Sequence, residues 1–161
     1  REARLILDGL RVSEQEQSSL LDRLTEQACR WGARTGIEVK CSQTGSTSII
    51  EPISSEMGWH IQRILGEILT NVEKHARATK VFLNLSVDST SLMLDARDNG
   101  VGISSGGGHT PATGHYGISG MFERARILNA DLTMDGHSNG GGVRTVLTVP
   151  FESLYLSGEA A

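Results

Sequence analysis

Apolar residues recur at steps of three and four along the middle of the chain: Ile61, Leu65, Ile68, Leu69, Val72 and Ala76. That spacing makes one stripe of an α-helix, which Ser54 or Ser55 would cap after Pro52. Leu20, Leu21, Leu24, Ala28 and Trp31 repeat the period upstream. They predict a helix from an N-cap at Ser13, with Glu16 as its capping-box partner, to about Arg34, stopped by Thr35-Gly36. Elsewhere the period is two. Ile37–Cys41 alternates. Val81, Leu83, Leu85 and Val87 share one strand face, Asp88-Ser-Thr turns the chain, and Leu92, Leu94 and Ala96 share the inner face of the next strand. Asp98 has the same parity, so it points where the apolar residues point. A further helix is predicted over about 118–128, with Ile118, Met121, Ala125 and Leu128 inward and Asn129 as its stop. A short strand follows over 131–135, a glycine-rich turn over 136–142, and a last strand from Val143 to Val149, ended by Pro150. Residues 42–53 and 103–113 lack periodicity and read as loops, the second as a mobile one. Residues after about 152 read as a frayed tail.

The resulting order is helix, strand, helix, two strands, helix, two strands. It predicts an α/β fold, a two-layer sandwich of a mixed, mostly antiparallel sheet and about three helices.

A length of 161 residues, with 38% hydrophobic and 21% charged positions, fits one soluble globular domain. The net charge of −4 gives no broad basic footprint, which argues against a nucleic-acid partner. An anionic ligand would need local features: backbone N–H groups, a metal ion, one or two cations. Cys29 and Cys41 form no CxxC pair and read as reduced thiols of a cytosolic protein. No apolar run reaches the length of a membrane span, and no signal peptide is visible. The charged helical pattern from Arg1 to Asp8 suggests a piece cut from a longer protein. The expected divisions are 1–12 as the end of an upstream helix or linker, 13–152 as the domain, and 153–161 as a tail.

Four stretches carry chemistry. On the central helix, Glu67, Asn71 and Lys74 fall on one side, with His75 at its border. Asn71 offers a neutral oxygen suited to magnesium, Lys74 a point charge for phosphate, His75 a donor to phosphate or ribose, and Glu67 a base or an outer contact to the metal. A solvated helix face would look the same. Next comes Asp98-Asn-Gly100-Val-Gly102. A carboxylate at the end of an inward-facing run needs a partner, and a ligand amine would serve, although Asp-Asn-Gly is also a strong turn signal. The third stretch, Gly114-His115-Tyr116-Gly117-Ile118-Ser-Gly120, opens a helix, where N–H groups and the helix dipole favour anions; a flexible hinge would explain it equally well. It is neither a Walker A loop nor a Rossmann fingerprint. The last is Gly140-Gly-Gly142, which enters the final strand.

The order of the four is more specific than any one of them. Together they resemble the ATP-binding domain of sensor histidine kinases, within the gyrase, Hsp90, histidine kinase and MutL superfamily. Glu67-Ile-Leu-Thr-Asn71-Val-Glu-Lys74-His75-Ala resembles the N box, and the three glycine stretches resemble the glycine boxes in sequence. The likeness covers about residues 55–150. Lys-His-Ala at 74–76, His-Tyr-Gly at 115–117 and Met121-x-Glu-Arg-Ala125 are similar to the nitrate/nitrite sensor kinases, as is the lead-in ending Trp-Gly-Ala-Arg-Thr-Gly-Ile-Glu-Val.

The resemblance implies a Bergerat-type ATP-binding fold that uses ATP and Mg2+. Asn71 would hold magnesium, and Lys74 and His75 would face phosphates or ribose. Asp98 would accept from the adenine amine, with Gly100 and Gly102 flanking the base. Gly114, His115, Tyr116, Gly117 and Ile118 would meet the phosphates, with 103–116 as the lid. Glu67 occupies the catalytic acid position of the box. The family usually has Thr where this chain has Val143, and Thr145 on the same strand face is the candidate substitute. None of the histidines at 60, 75, 109, 115 and 137 has the setting of a phosphoacceptor, and His60 beside Trp59 reads as a packing residue.

The implied activity is transfer of the ATP γ-phosphoryl group to a histidine outside this chain and onward to a response regulator. The implied partners are the dimerisation/phosphoacceptor domain of the same protein, with a homodimer at full length, in a cytoplasmic setting compatible with a membrane-anchored sensor. The alternatives are an ATP-hydrolysing member of the superfamily, and a non-catalytic nucleotide-sensing or partner-docking module.

Overall fold

The computed structural model describes residues 19–45, 53–102, 116–136 and 141–155. The expected Ser13 cap, with Glu16, and most of the 103–116 lid lie outside the described residues, as do Gly114 and His115.

Helix α1 (Leu20–Thr35) is capped by Ser19, whose hydroxyl accepts from the Asp22 N–H at 3.2 Å. It stops at Gly36, where φ of 78° is cheap for a residue without a Cβ. Its predicted inward residues Leu20, Leu21, Leu24, Ala28 and Trp31 are all buried. Strand β1 (Glu38–Thr44) outlasts the expected Cys41 because it pairs in parallel with β2 as far as Thr44↔Ser86. Helix α2 (Ser55–Asn71), capped by Ser54, is the central helix. It runs into a single π turn over Val72–Ala76.

Strands β2 (Lys80–Val87) and β3 (Ser91–Asp98) form a hairpin. At its turn the Asp88 carboxylate accepts from the Thr90 and Ser91 N–H groups at 2.7 and 2.8 Å. Those backbone bonds hold its carboxyl below the ordinary carboxylate range. Helix α3 (Tyr116–Ile127) ends near Asn129, a non-glycine residue at φ 50°. Strands β4 (Asp131–Gly136) and β5 (Val143–Pro150) complete the sheet. The stretch expected to fray begins instead as a short helix, α4 (Phe151–Tyr155). The Phe151 N–H donates to the Thr90 carbonyl at 3.0 Å, Phe151 packs on the core, and Ser153 is buried.

Among the described strands the sheet order is β1-β2-β3-β5-β4, parallel only between β1 and β2. One sheet face packs on the helices. Leu83, Leu85, Leu94 and Leu147 there share a core with Leu24, Ile61, Ile64, Leu65 and Met121. The other face is solvated, which leaves Phe82 45% exposed while its neighbours Val81 and Leu83 are buried. His60 is a packing residue: it is buried, edge-on to Trp59 at 5.1 Å between centroids, and its Nδ1 lies 3.1 Å from the Arg124 guanidinium. Among the described residues, no helix is long and apolar enough to cross a membrane.

Candidate functional site

A cavity of about 170 Å³ opens between α2, the π turn, β3, α3 and β5. Its apolar wall includes Ile68, Val72, Val81, Ala96 and Met134, and its polar positions include Asn71, His75, Asp98 and Thr145. A larger hollow of about 750 Å³ lies along the solvated sheet face, around Lys40, Phe82, Arg97 and Arg144. It is the more open of the two; Asp98 lines both, whereas Asn71 and the buried Thr145 line only the smaller cavity.

Asp98 is only 4% exposed at the end of β3. A carboxylate there needs donors, and the backbone supplies two. Its Oδ1 accepts from the Gly100 N–H at 2.8 Å and its Oδ2 from the Val143 N–H at 3.2 Å. Each oxygen keeps a further lone pair.

Two glycines allow this packing. A Cβ on Gly100 would collide with the Ala76 carbonyl, and one on Gly142 (φ 72°) with the Asp98 carbonyl. The same close approach lets the Val101 N–H donate to the Ala76 carbonyl at 2.8 Å. Gly102 adopts φ 76° at the cavity rim. The Asn99 side chain locks the loop from outside. Its Oδ1 accepts from the Thr79 and Lys80 N–H groups, each at 2.9 Å.

The polar residues of the central helix do not stay on one α-helical line, because the π turn begins directly after Asn71. Asn71 and His75 line the cavity; Lys74 is exposed and is not on its wall. Among the described residues, the buried Asn71 Nδ2 has no hydrogen-bond partner. Glu67 stands against the start of α3 rather than in the cavity. A Cβ on Gly117 would lie 2.5 Å from Glu67 Oε2 and 4.0 Å from Asn71 Oδ1. Gly117 and Ile118 line the cavity, and Thr145 lines it from β5, 3% exposed. The side chain of Tyr116 lies outside the described residues.

Met134 and Val143 also line the site, and sequence reasoning did not select them as ligand contacts. Met134 pairs across the sheet with Thr145, a neighbour set by strand register and not by any local pattern.

No protein-family model matches the chain. Curated relatives do. The chain is 32% identical over 102 residues to the nitrate/nitrite sensor protein NarQ of Escherichia coli K12, covering 63% of this chain and 17% of that protein. It is 25% identical over 156 residues to NarX of the same strain, covering 90% of this chain and 25% of NarX. It is 28% identical over 154 residues to the oxygen sensor histidine kinase NreB of Staphylococcus carnosus, covering 92% of this chain and 43% of NreB. The chain therefore spans less than half the length of these relatives.

Among solved structures, the histidine kinase domain of the Erythrobacter litoralis EL346 blue-light activated kinase superposes with a TM-score of 0.65 at 22% identity, over 84% of this chain and 63% of that one. The mycobacterial sensor histidine kinase MprB gives 0.55 at 19% identity, over 81% and 93%. The fold is that of histidine kinase catalytic domains. In sequence the chain is similar to sensor histidine kinases, the nitrate/nitrite sensors among them.

Proposed function

We propose that this chain is the ATP-binding catalytic domain of a two-component sensor histidine kinase. It binds ATP with Mg2+ and directs the γ-phosphoryl group to a histidine on the dimerisation domain of the same protein, for relay to a response regulator. The observation that carries the reading is the Asp98 carboxylate, buried at the cavity and aimed by the Gly100 and Val143 N–H groups. Its remaining lone pairs suit the exocyclic amine of adenine. The apolar walls suit the base itself. The cavity is below the ~300–1,000 Å³ of whole-ligand clefts, a size suited to a base whose sugar and phosphates project outward.

Asn71 fits the polar end. A buried amide without a partner is costly, and a half-turn of the amide exchanges its oxygen and nitrogen, so this position can present an oxygen to a cation. Among the described residues no three His, Cys, Asp or Glu side chains gather to hold a metal. Asn71 is the residue that would hold a magnesium ion, through its amide oxygen. When bound, the ion neutralises charge developing on the phosphates. Gly117 and Ile118 bring the N-terminus of α3 to the cavity, where its N–H groups favour phosphate. His75 supplies a donor at the cavity wall, and the exposed Lys74, outside that wall, a cation for phosphates that project outward. Glu67, against Gly117, would orient that helix start. Such a domain contributes positioning and electrostatics, the main needs of phosphoryl transfer.

The kinase names of the relatives favour this reading over steady ATP hydrolysis and over a non-catalytic module. The test is calorimetric titration of the chain with Mg-ATP. Binding is expected in the wild type and should weaken by at least about tenfold in Asp98→Ala. Absence of binding, or equal affinity in the variant, overturns the proposal.

A further inference from the structure

The turn that carries Lys74 and His75 is a poor conformation to leave unsupported. It is a π turn, a rare form, and it ends on Arg77 at φ 49°, where a non-glycine residue is disfavoured. Two pins hold it. At one end the Ala76 carbonyl accepts from the Val101 N–H at 2.8 Å. At the other, three donors of α1 converge on the Glu73 carboxylate. The Arg34 guanidinium forks onto it, Nη1 to Oε1 at 3.1 Å and Nη2 to Oε2 at 2.9 Å, and the Trp31 indole Nε1 donates to Oε2 at 3.2 Å. Lys74 and His75 are the two residues between the pins.

A single exposed ion pair contributes little. A planar fork completed by an indole donor is different in kind, because it fixes direction as well as distance. Trp31 is itself buried, which anchors the clamp in the core of α1.

We infer that Glu73 is a positioning residue: clamped by Trp31 and Arg34, it sets the π turn so that Lys74 and His75 meet the phosphate end of a bound nucleotide. The inference rests on the nucleotide-site reading above. It makes a separate claim, because the bonds that aim Asp98 come from the Gly100 and Val143 N–H groups and none passes through Glu73, although Val72 and Ala76 of the turn also line the cavity. Loss of Glu73 should therefore cost affinity for the phosphates and spare affinity for the base.

The experiment compares Mg-ATP with adenosine, titrated into the 161-residue chain and its variants. Glu73→Ala should weaken Mg-ATP by about tenfold and adenosine by less than about twofold, with Glu73→Gln intermediate because its amide oxygen still accepts. Trp31→Phe combined with Arg34→Ala removes the donors while leaving the turn sequence intact. It should reproduce the same selective loss if Glu73→Ala fails to fold. Hydrogen exchange of the amides over 72–77, without ligand, should accelerate in each variant. A parallel loss of ATP and adenosine affinity would reduce the clamp to general structural support, and unchanged ATP affinity in a folded variant would remove the role altogether. Either result overturns the inference and leaves the nucleotide site standing. Failure of the wild type to bind either ligand overturns both.

Discussion

Asp98 accepts a hydrogen bond from the backbone N–H of Val143 at 3.2 Å, across 45 positions of sequence. At Val143 the resemblance to histidine kinase ATP-binding domains leads one to expect threonine. Here the strand entry reaches the carboxylate through its main chain, which any residue but proline provides. Gly142 beside it allows the approach. The side-chain departure at 143 therefore leaves the aim of Asp98 intact.

It follows that Val143→Thr should be nearly silent, within about 0.5 kcal/mol of wild-type stability, since the residue is only partly buried and its N–H is unchanged. Asp98→Ala should cost about 1–3 kcal/mol, because it strands the N–H groups of Gly100 and Val143. Urea denaturation with an unchanged m-value checks both. Equal stability of wild type and Asp98→Ala would contradict the assigned bonds.

Two glycines should respond in opposite directions. Gly142 sits at φ 72° with a Cβ directed at the Asp98 carbonyl, so Gly142→Ala should destabilise by more than about 1 kcal/mol. Gly120 lies within α3 with nothing among the described residues in reach of a Cβ, so Gly120→Ala should stabilise by about 0.4–1 kcal/mol. Thermal melts of the two variants side by side would show the contrast.

The two sheet faces should differ as sharply. Leu94 is fully buried between the sheet and the helices, and Leu94→Ala should cost about 2–5 kcal/mol. Phe82 lies on the solvated face with the Lys80 ammonium 5.9 Å from its ring, and Phe82→Ala should cost no more than about 1 kcal/mol. A large loss at Phe82 would mean that the outer sheet face is covered.

The thiol pair gives a pH dependence. Burial, with the neighbouring Cys29 thiol, pushes the Cys41 thiol up to about 11. The folded protein therefore retains this proton where the unfolded chain, near pH 8.5, has begun to lose it. The stabilisation from Cys41 is full below that pH and is lost as the pH rises through about 11. The melting-temperature gap between wild type and Cys41→Ala should shift in that sense between pH 8 and 11, and alkylation at pH 8 should label the exposed Cys29 before Cys41. Faster labelling of Cys41 would contradict the raised value.

Local patterning sufficed for the three long helices, the five strands, their order and the inward parity of Asp98, and missed the π turn and the short helix α4. Helical and strand periods, caps such as Ser54 and stops such as Gly36 are local, written within a few residues of where they act. Glycines also marked where the backbone must pass close, as at Gly100 and Gly142. The remaining features depend on residues distant in the chain. The π turn takes Lys74 off the α-helical line and away from the cavity wall, and no local pattern announces it. The clamp on Glu73 spans 42 residues to Trp31 and 39 to Arg34, and Glu73 looks from its neighbours like one more surface acid. Met134 and Val143 reach the cavity only because β4 and β5 pair at the sheet edge beside Asp98. Periodicity says which side of an element faces inward, and packing alone decides what that side meets.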